Sequence, residues 1–220
     1  FPKYNDKSLH EYNNYCEVKK SSNNWNFFPS LTYKIFLMLN SNRITKILSK
    51  KLKINNIYSD YGLHGGGWHL MKIRGKLNPH LDYSLHPKIL GQRKFNLIIF
   101  LTPGWKKSWG GETGFYEKNL KDKKIPGNLI TKIYPKFNRA VIFDTSKNSW
   151  HSVSPIKINK IRKSIAVYYL VNPKKNNVSR RKRALYAPEK NQIKNKKVIK
   201  FIKMRVNQNS FSNVYKTKKK

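Results

Sequence analysis

The strongest constraint on the fold is a set of polar residues that lie inside strand-like segments. His80 and Asp82 flank Leu81, and in an extended strand the side chains at i and i+2 point to the same face. Much later, Ser149–Val153 alternates and Arg162–Leu170 runs apolar, as strands do. A fold that uses these residues together must place several antiparallel strands side by side. A mainly β architecture is therefore predicted.

Two histidines and one aspartate are enough to hold a metal ion from one side. His80, Asp82 and His151 predict the 2-His-1-carboxylate arrangement, which binds Fe(II) through one face of an octahedron and leaves three positions open. The competing interpretation is three unrelated polar residues on a β protein, and a lone His-x-Asp pair would not outweigh it.

Arg162 and Ser164 share one face of the last strand-like run and can converge on a carboxylate. A guanidinium donates two parallel hydrogen bonds to a carboxylate, and its charge persists when it is buried. A dicarboxylate that chelates iron at one end and meets Arg162 at the other is predicted, and 2-oxoglutarate has this chemistry. The pair therefore favours a metal site over chance placement.

Further pieces surround these residues in a defined order along the chain: Gly65–His69, Leu77–Tyr83, Arg93–Leu101, Trp109–Glu112, Phe137–Phe143, Ser149–His151 and Arg162–Ser164. In this order they resemble the prolyl-4-hydroxylase-like branch of the Fe(II)/2-oxoglutarate oxygenases, from about Gly65 to Tyr169. The resemblance implies a double-stranded β-helix, a cupin-like jelly roll whose open end carries the iron ligands and the carboxylate-binding arginine.

The resemblance also implies a reaction. Fe(II), 2-oxoglutarate and O2, with ascorbate as a candidate reductant, would hydroxylate an unactivated C–H bond and yield succinate and CO2. A prolyl residue of a protein or peptide is the favoured substrate, and a free amino acid or another small molecule is the alternative. Variable loops usually carry substrate recognition, so it is expected in residues 83–92 and 117–135.

Three further positions bear on the co-substrate pocket. His69 lies where relatives place a pocket side chain, although a buried structural histidine is an equal alternative. Phe100 stands where many relatives have a tyrosine that helps hold 2-oxoglutarate, and phenylalanine cannot donate a hydrogen bond. Asn96, on the same strand face, is a candidate to compensate.

The chain divides into three expected regions: a helical support region at 1–57, the oxygenase core at 58–172, and a basic extension at 173–220 on the same domain. Apolar residues at helical spacing predict two helices packed on one sheet, with Ser30 as an N-cap and a break at Asn40–Asn42. Strands are predicted near 68–74, 95–101, 114–117, 139–144, 149–153 and 163–171. The extension is expected to form an extended piece and a helix, with a frayed end.

The formal charge of the 220 residues is +37. A protein this basic should bind polyanions in a salt-dependent way. Residues 179–183 and 216–220 are the densest basic clusters, yet the excess is spread over the chain, with +16 in 173–220 and +21 before it. A solvated basic surface is therefore favoured over selected nucleic-acid binding, and any nucleic-acid contact is expected to be non-specific.

Other conspicuous residues have simpler interpretations. His10, His64 and His86 are expected as surface or loop histidines. Gly110–Gly111 reads as a backbone device at a strand start, and Trp105 and Trp109 as packing residues. Cys16, the single cysteine, excludes an internal disulfide and suits a reducing, cytoplasmic compartment. No apolar run is long enough to span a membrane.

Two other functions remain open from the sequence. A nucleic-acid oxygenase of the same fold would suit the charge, but related demethylases carry a second arginine six residues after the first, where this chain has Tyr168. A non-catalytic basic jelly-roll binding module would be favoured by loss of a metal ligand, and none is lost. The sequence gives no prediction of oligomeric state.

Overall fold

The computed structural model describes residues 1–145, 148–173, 181 and 183–206. This part of the chain contains twelve strands: β1 His10–Asn13, β2 Glu17–Ser22, β3 Tyr58–Ser59, β4 Gly67–Met71, β5 Lys76–Leu81, β6 Gln92–Phe100, β7 Thr113–Lys118, β8 Pro126–Ile133, β9 Ala140–Asp144, β10 His151–Val153, β11 Arg162–Val171 and β12 Leu185–Tyr186. Its α-helices are α1 Ser30–Leu39, α2 Asn42–Leu52 and α3 Lys196–Val206.

The strands form one curled antiparallel sheet in the order β8-β7-β10-β5-β2-β4-β11-β6-β9, with β1 beside β2, β12 beside β5 and β3 beside β11. The curl brings distant strands face to face. Phe115 of β7 and Phe143 of β9 lie 5.1 Å apart between ring centroids. The predicted mainly β, jelly-roll class is confirmed, and all six predicted strand regions are found.

Strand β11 explains how one segment serves both the core and a cavity. Ile165, Val167 and Tyr169 point to one face and pack with Phe36 and Leu39 of α1. The Tyr169 hydroxyl also donates to the Leu39 carbonyl at 2.8 Å. The alternate residues point to the concave face of the sheet. Both faces are buried, so the sequence of β11 is almost continuously apolar, and the N-terminal helices pack on one sheet as predicted.

The N-terminal region contributes more than helices. Strand β2 pairs with β4 through Lys20–Ser22 and with β5 through Glu17 and Val18, so it spans the junction of these two strands. The description of residues 1–57 as helical support therefore misses β1 and β2. Both strands are short and polar, a pattern that resembles a loop in the sequence. The division into three regions stays a prediction.

Two boundaries also differ from expectation. Helix α1 begins at Ser30 with Pro29 at the cap position, one residue earlier than predicted, because proline has no N–H to be satisfied there. The expected break is present, and Ser41 caps α2 by accepting from Ile44 N. Residues 117–135, expected as a loop, contain all of β8, whose exposed edge position hid the usual apolar alternation.

The C-terminal extension forms the predicted extended piece, β12, and the predicted helix, α3. Of the basic cluster 179–183, only Arg181 and Arg183 are among the described residues, and the cluster 216–220 and the expected frayed end lie outside them. In the part of the chain that the structure describes, no helix has the length and apolar character needed to cross a membrane.

Candidate metal centre and co-substrate pocket

The three predicted metal ligands come together at one end of a cavity. His80 Nε2 lies 3.7 Å from Asp82 Oδ1, and His151 Nε2 lies 3.8 Å from Asp82 Oδ2. One ligand atom from each residue lies within 4.8 Å of the other two. Strand β10 pairs with β5 in the register His151 to His80, which explains how ligands distant in sequence meet. Asp82 directly follows β5.

Backbone carbonyls orient both imidazoles. His80 Nδ1 lies 2.8 Å from the Asn78 carbonyl, and His151 Nδ1 lies 3.0 Å from the Ser149 carbonyl. A carbonyl can only accept, so each Nδ1 carries a proton, and in the neutral ring Nε2 then keeps a lone pair. Both lone pairs are therefore available toward Asp82 and the space between the rings. Hydrogen bonds of this kind are what hold metal-binding histidines in position.

The charge states also suit a cation. Burial, followed by the neighbouring His151, lowers the pKa of His80 to about 3, so its ring is neutral near pH 7. Burial alone would raise the pKa of Asp82, but the two histidines, Arg93 and a hydrogen bond from Tyr168 lower it to about 2. The site thus presents two imidazole nitrogens and one carboxylate, the donor set of a 2-His-1-carboxylate iron centre.

Behind Asp82 lies a stack that the sequence analysis did not identify. Tyr168 donates its hydroxyl to Asp82 Oδ2 at 2.9 Å. The Arg93 guanidinium lies 3.4 Å from the ring centroids of both Tyr83 and Tyr168, so it is held between two aromatic faces. Arg93 is 2% exposed and also donates to the Tyr83 hydroxyl and the His64 carbonyl. These residues fix the Asp82 carboxylate and place a positive charge near it.

Arg162 and Ser164 lie on the concave face of the same strand, as predicted. Arg162 is 3% exposed and Ser164 is fully buried, and Arg162 Nη1 lies 3.3 Å from Ser164 Oγ. Burial lowers the pKa of Arg162 to about 10, with Glu112 acting in the opposite direction, so the guanidinium stays charged near neutral pH. Arg162 forms no ion pair with any residue in the described ranges.

Two backbone and side-chain neighbours hold Arg162 in place. Gly111 accepts from Arg162 Nε at 2.9 Å, and Phe100 lies with its ring centroid 4.9 Å from the guanidinium carbon. Gly110 has φ +76°, and a Cβ there would lie 2.1 Å from the Pro155 carbonyl, so glycine is required. The pair Gly110–Gly111 is therefore a backbone device, as expected, and it supports the arginine.

Polar groups without partners also face the cavity. Asn96 Oδ1 and Thr113 Oγ1 are buried, line the cavity, and have no hydrogen-bond partner among the described residues. His69 lines it too, and burial, then Lys19 and Arg162, lower its pKa to about 3. Buried polar atoms usually have partners, so these orphaned acceptors indicate that a polar ligand belongs here. Sequence reasoning missed Thr113, since a lone threonine carries no recognisable signal.

The cavity that joins these groups has a volume of about 1190 Å³. It contains the three candidate metal ligands, His69, Asn96, Arg162 and Ser164, so every predicted site residue lies in one space. Four residues of the C-terminal extension also line it and were not predicted as site residues: Arg183, Ala184, Tyr186 and Arg205. The volume is at the upper end for small-molecule sites, which leaves room for a substrate beside a co-substrate.

The remaining conspicuous residues behave mostly as expected. Trp105 is buried in a small apolar cluster, against which Trp109 packs. His10 is exposed and His64 is half-buried. His86 lies in a loop but is 4% exposed, with its Nε2 3.4 Å from Asp60 Oδ1. His86 is therefore a buried loop residue, and the Asp60 carboxylate is a polar neighbour of its ring.

Comparison with known proteins agrees with this picture. Residues 67–170 match the family described as the 2OG-Fe(II) oxygenase superfamily. The chain is 33% identical over 85 residues to prolyl 3-hydroxylase OGFOD1 of Xenopus laevis, covering 38% of this chain and 16% of that protein. It is 31% identical over 101 residues to prolyl 3-hydroxylase OGFOD1 of Mus musculus, covering 40% and 18%. The chain thus spans less than a fifth of the length of these curated relatives.

Solved structures show the same fold. A prolyl-4-hydroxylase from Pseudomonas putida superposes with a TM-score of 0.56 at 14% identity, covering 76% of this chain and 79% of that one. A prolyl hydroxylase from Trichoplax adhaerens, solved with a peptide fragment of the hypoxia inducible factor oxygen degradation domain, gives 0.53 at 16% identity, covering 74% and 71%. The match to the 2OG-Fe(II) oxygenase superfamily thus spans the metal-binding strands, on a fold that this chain shares with the solved prolyl hydroxylases.

Proposed function

We propose that this protein is an Fe(II)- and 2-oxoglutarate-dependent dioxygenase that hydroxylates an unactivated C–H bond. The carrying observation is one cavity that holds two histidines and a carboxylate at one point and a buried arginine without an ion pair at another. With iron bound, the overall chemistry is the conversion of substrate C–H, O2 and 2-oxoglutarate into substrate C–OH, succinate and CO2.

The residues divide into two tasks. His80 and His151 would bind the metal through Nε2, and Asp82 would bind it with a charge of −1 that offsets part of the cation. Arg162 and Ser164 would bind the far carboxylate of 2-oxoglutarate, with two donors aimed at its oxygens. The arginine can accept an anion, because its direct contacts are a carbonyl, a hydroxyl and an aromatic ring, and Glu112 acts on its charge without forming an ion pair.

The polar residues between these two points would orient the co-substrate. Asn96 and Thr113 offer groups that no described residue satisfies. Phe100 supplies an apolar face next to Arg162 and no hydrogen bond, so Asn96 is the better candidate for a second polar contact on that strand. His69 is half-buried and its pKa is lowered to about 3, so its neutral ring is suited to a hydrogen bond and unsuited to ion pairing.

We further propose a prolyl residue of a protein or peptide as the substrate. Its support is the likeness to two curated prolyl 3-hydroxylases and to solved prolyl hydroxylases, one of them with a peptide. A cavity of about 1190 Å³ has room for such a side chain beside 2-oxoglutarate. A small-molecule substrate is the alternative. We also propose a reducing, cytoplasmic compartment, which the single buried Cys16 supports.

No observation favours a nucleic-acid substrate over this proposal. Tyr168, at the position of the second arginine in related demethylases, is committed to Asp82 through its hydroxyl. The chain's charge of +37 gives no base-specific contact. A non-catalytic binding module would have no use for a preserved metal triad together with an unpaired buried arginine.

The test is an anaerobic titration of the Fe(II) protein with 2-oxoglutarate, followed by the visible metal-to-ligand charge-transfer band. We expect the band in the wild type, its loss in Asp82→Ala, and a much weaker affinity for 2-oxoglutarate in Arg162→Ala. Absence of the band in the wild type at saturating 2-oxoglutarate would contradict the proposal.

Matched controls come from exposed residues of the same types. Asp122→Ala and Arg43→Ala remove exposed residues far from the cavity and should leave the band and the affinity unchanged. Hydroxylation is then measured by mass spectrometry on proline-containing peptides, as a gain of one oxygen atom with succinate formed in equal amount. A band without any peptide product would keep the oxygenase and remove the peptide substrate.

A further inference from the structure

The C-terminal segment, defined here as Arg181 and residues 183–206, lies outside the residues that match the family. It nevertheless runs along the strand that carries the metal ligands. Strand β12 pairs with β5 in the register Leu185 to Leu81 and Tyr186 to His80. The pairing continues when Ala187 N donates to the Pro79 carbonyl at 2.8 Å. The segment therefore covers an edge of β5 that β10 does not use.

Tyr186 contacts the first ligand directly. Its ring is stacked on the His80 imidazole, with 4.9 Å between centroids and 17° between planes, and Tyr186 is 4% exposed. The Asn78 carbonyl fixes the Nδ1 edge of the same imidazole, and the Asn78 amide in turn donates to the Ala187 carbonyl at 3.2 Å. The stacked Tyr186 ring sets the plane of the imidazole, and the Asn78 carbonyl sets its rotation within that plane. Together the two contacts fix the direction of Nε2.

Arg181 contacts the second ligand residue through the backbone. Its Nε and Nη2 donate to the Asp82 carbonyl at 3.0 and 2.6 Å. The Arg181 carbonyl accepts from Ser84 N at 2.8 Å, so two short contacts tie Arg181 to the chain on either side of Tyr83. Asp82 is not part of β5 and lacks the ladder bonds of that strand. The two hydrogen bonds from Arg181 therefore hold the Asp82 backbone in place of ladder bonds.

Helix α3 holds Tyr186 from the other side. Arg205 forms an ion pair with Glu17 of β2, and Glu17 Oε2 accepts the Tyr186 hydroxyl at 3.0 Å. The Arg205 guanidinium also lies 4.5 Å from the Tyr186 ring centroid. Glu17 is 2% exposed, so this ion pair is shielded from water. Tyr186 is thus fixed by its ring on His80 and by its hydroxyl on Glu17.

We propose that the C-terminal segment is a working part of the metal centre, in which Tyr186 and Arg181 are positioning residues for His80 and Asp82. The proposal rests on the proposed function only in that it takes these residues as metal ligands. Contacts behind a metal ligand cost 10- to 100-fold in metal affinity when they are removed, on the order expected here. The segment then does more than cover the sheet edge, because it sets how well the ligands meet the metal.

The experiment is Co(II) binding to the full chain, without co-substrate, followed by the ligand-field absorption of the bound ion. Tyr186→Leu removes the stacked ring and should weaken Co(II) binding about 10-fold or more and shift the absorption bands. Tyr186→Phe keeps the ring and should stay closer to the wild type in both. Arg181→Gln should weaken binding several-fold, with Arg181→Lys partly restoring it.

The controls are Tyr61→Leu and Arg43→Gln, which change exposed residues of the same types and should leave Co(II) affinity and spectrum unchanged. Wild-type affinity and spectrum in Tyr186→Leu would overturn the proposal. If that variant does not fold, Arg181→Gln decides alone, because it changes a half-buried side chain, and an unchanged affinity there is equally fatal. Failure of the wild type to bind Co(II) would instead contradict the proposed metal site itself.

Discussion

The two ends of the cavity hold opposite charges, and the protein treats them differently. At one end the Asp82 carboxylate receives a hydrogen bond from Tyr168 and has Arg93 nearby, and its pKa is lowered to about 2 despite burial. At the other end Arg162 directly contacts only neutral groups, and burial lowers its pKa to about 10 although the charge of Glu112 acts in the opposite direction. The aspartate is stabilised by the protein before any ligand binds, whereas the arginine is not. A buried charge without a counterion is costly, so the arginine end is built for an anion.

The largest effect is expected at the arginine end. Arg162→Met removes the charge while keeping much of the volume, so affinity for 2-oxoglutarate should fall on the order of 100-fold or more. The free energy of unfolding of the ligand-free protein should stay the same or rise, because the removed charge was buried without an ion pair. Calorimetric titration and urea unfolding measure the two quantities. A large destabilisation of the ligand-free protein would show that the protein already compensates this charge. It would contradict the claim that Arg162, unlike Asp82, is not stabilised before a ligand binds.

The metal end should respond to the loss of a single hydroxyl. Tyr168→Phe keeps the ring against Arg93 but removes the hydrogen bond to Asp82 Oδ2, and metal affinity should fall about 10-fold. Affinity for 2-oxoglutarate at saturating metal should stay within about 3-fold of the wild type, since Arg162 is untouched. Titration with Mn(II), followed by its electron paramagnetic resonance signal, measures the first quantity. Tyr33→Phe, at an exposed tyrosine on α1, is the matched control. Equal metal affinity in Tyr168→Phe and the wild type would mean that Asp82 needs no such support.

The charge of Arg162 also contributes to the lowered pKa of His69. His69 has a pKa of about 3 in the folded protein because of burial and the nearby Lys19 and Arg162, against an ordinary value of 6.5. The unfolded chain therefore binds a proton that the folded protein does not, so this histidine makes folding less favourable as pH falls below about 6.5. Between pH 7.5 and pH 5 the loss from His69 should be about 2 kcal/mol.

Unfolding in urea, with a chelator present, measures this difference. His69→Gln should reduce the stability loss between pH 7.5 and pH 5 by about 2 kcal/mol, while the exposed His10→Gln should keep the wild-type difference. An unaltered pH dependence in His69→Gln would place the acid sensitivity elsewhere.

The two ends also differ in how far the sequence reveals them. His80, Asp82, His151 and Arg162 were predicted because their residue types and strand-like spacing have few other uses, and the structure places all four in one cavity. The groups that support Asp82 were not predicted. Arg93 sits between two tyrosines from different segments, which no local pattern shows.

The fold shows the same division. Strands rich in apolar residues, such as β6 and β11, were predicted, whereas the short polar β1 and β2 were missed and β12 was predicted only as an extended piece. Their positions depend on long-range contacts: Tyr186 and Arg205 both meet Glu17, across almost the whole chain. Local propensity cannot report such contacts, because only the assembled sheet brings the residues together.

The smallest effect is expected when a hydrogen-bond donor is added beside Arg162. Phe100 is buried beside Arg162, and a hydroxyl on its ring would add a donor near the proposed carboxylate site. Phe100→Tyr should therefore raise affinity for 2-oxoglutarate about 3- to 10-fold, the value of one net hydrogen bond. The charge-transfer titration measures it, and Phe137→Tyr, at an exposed phenylalanine, is the control. A lower affinity in Phe100→Tyr would mean that the ring is packed too closely to admit the hydroxyl. Arg162 would then depend on the apolar ring itself to exclude water, and the phenylalanine would be a requirement of this pocket and not a lost contact.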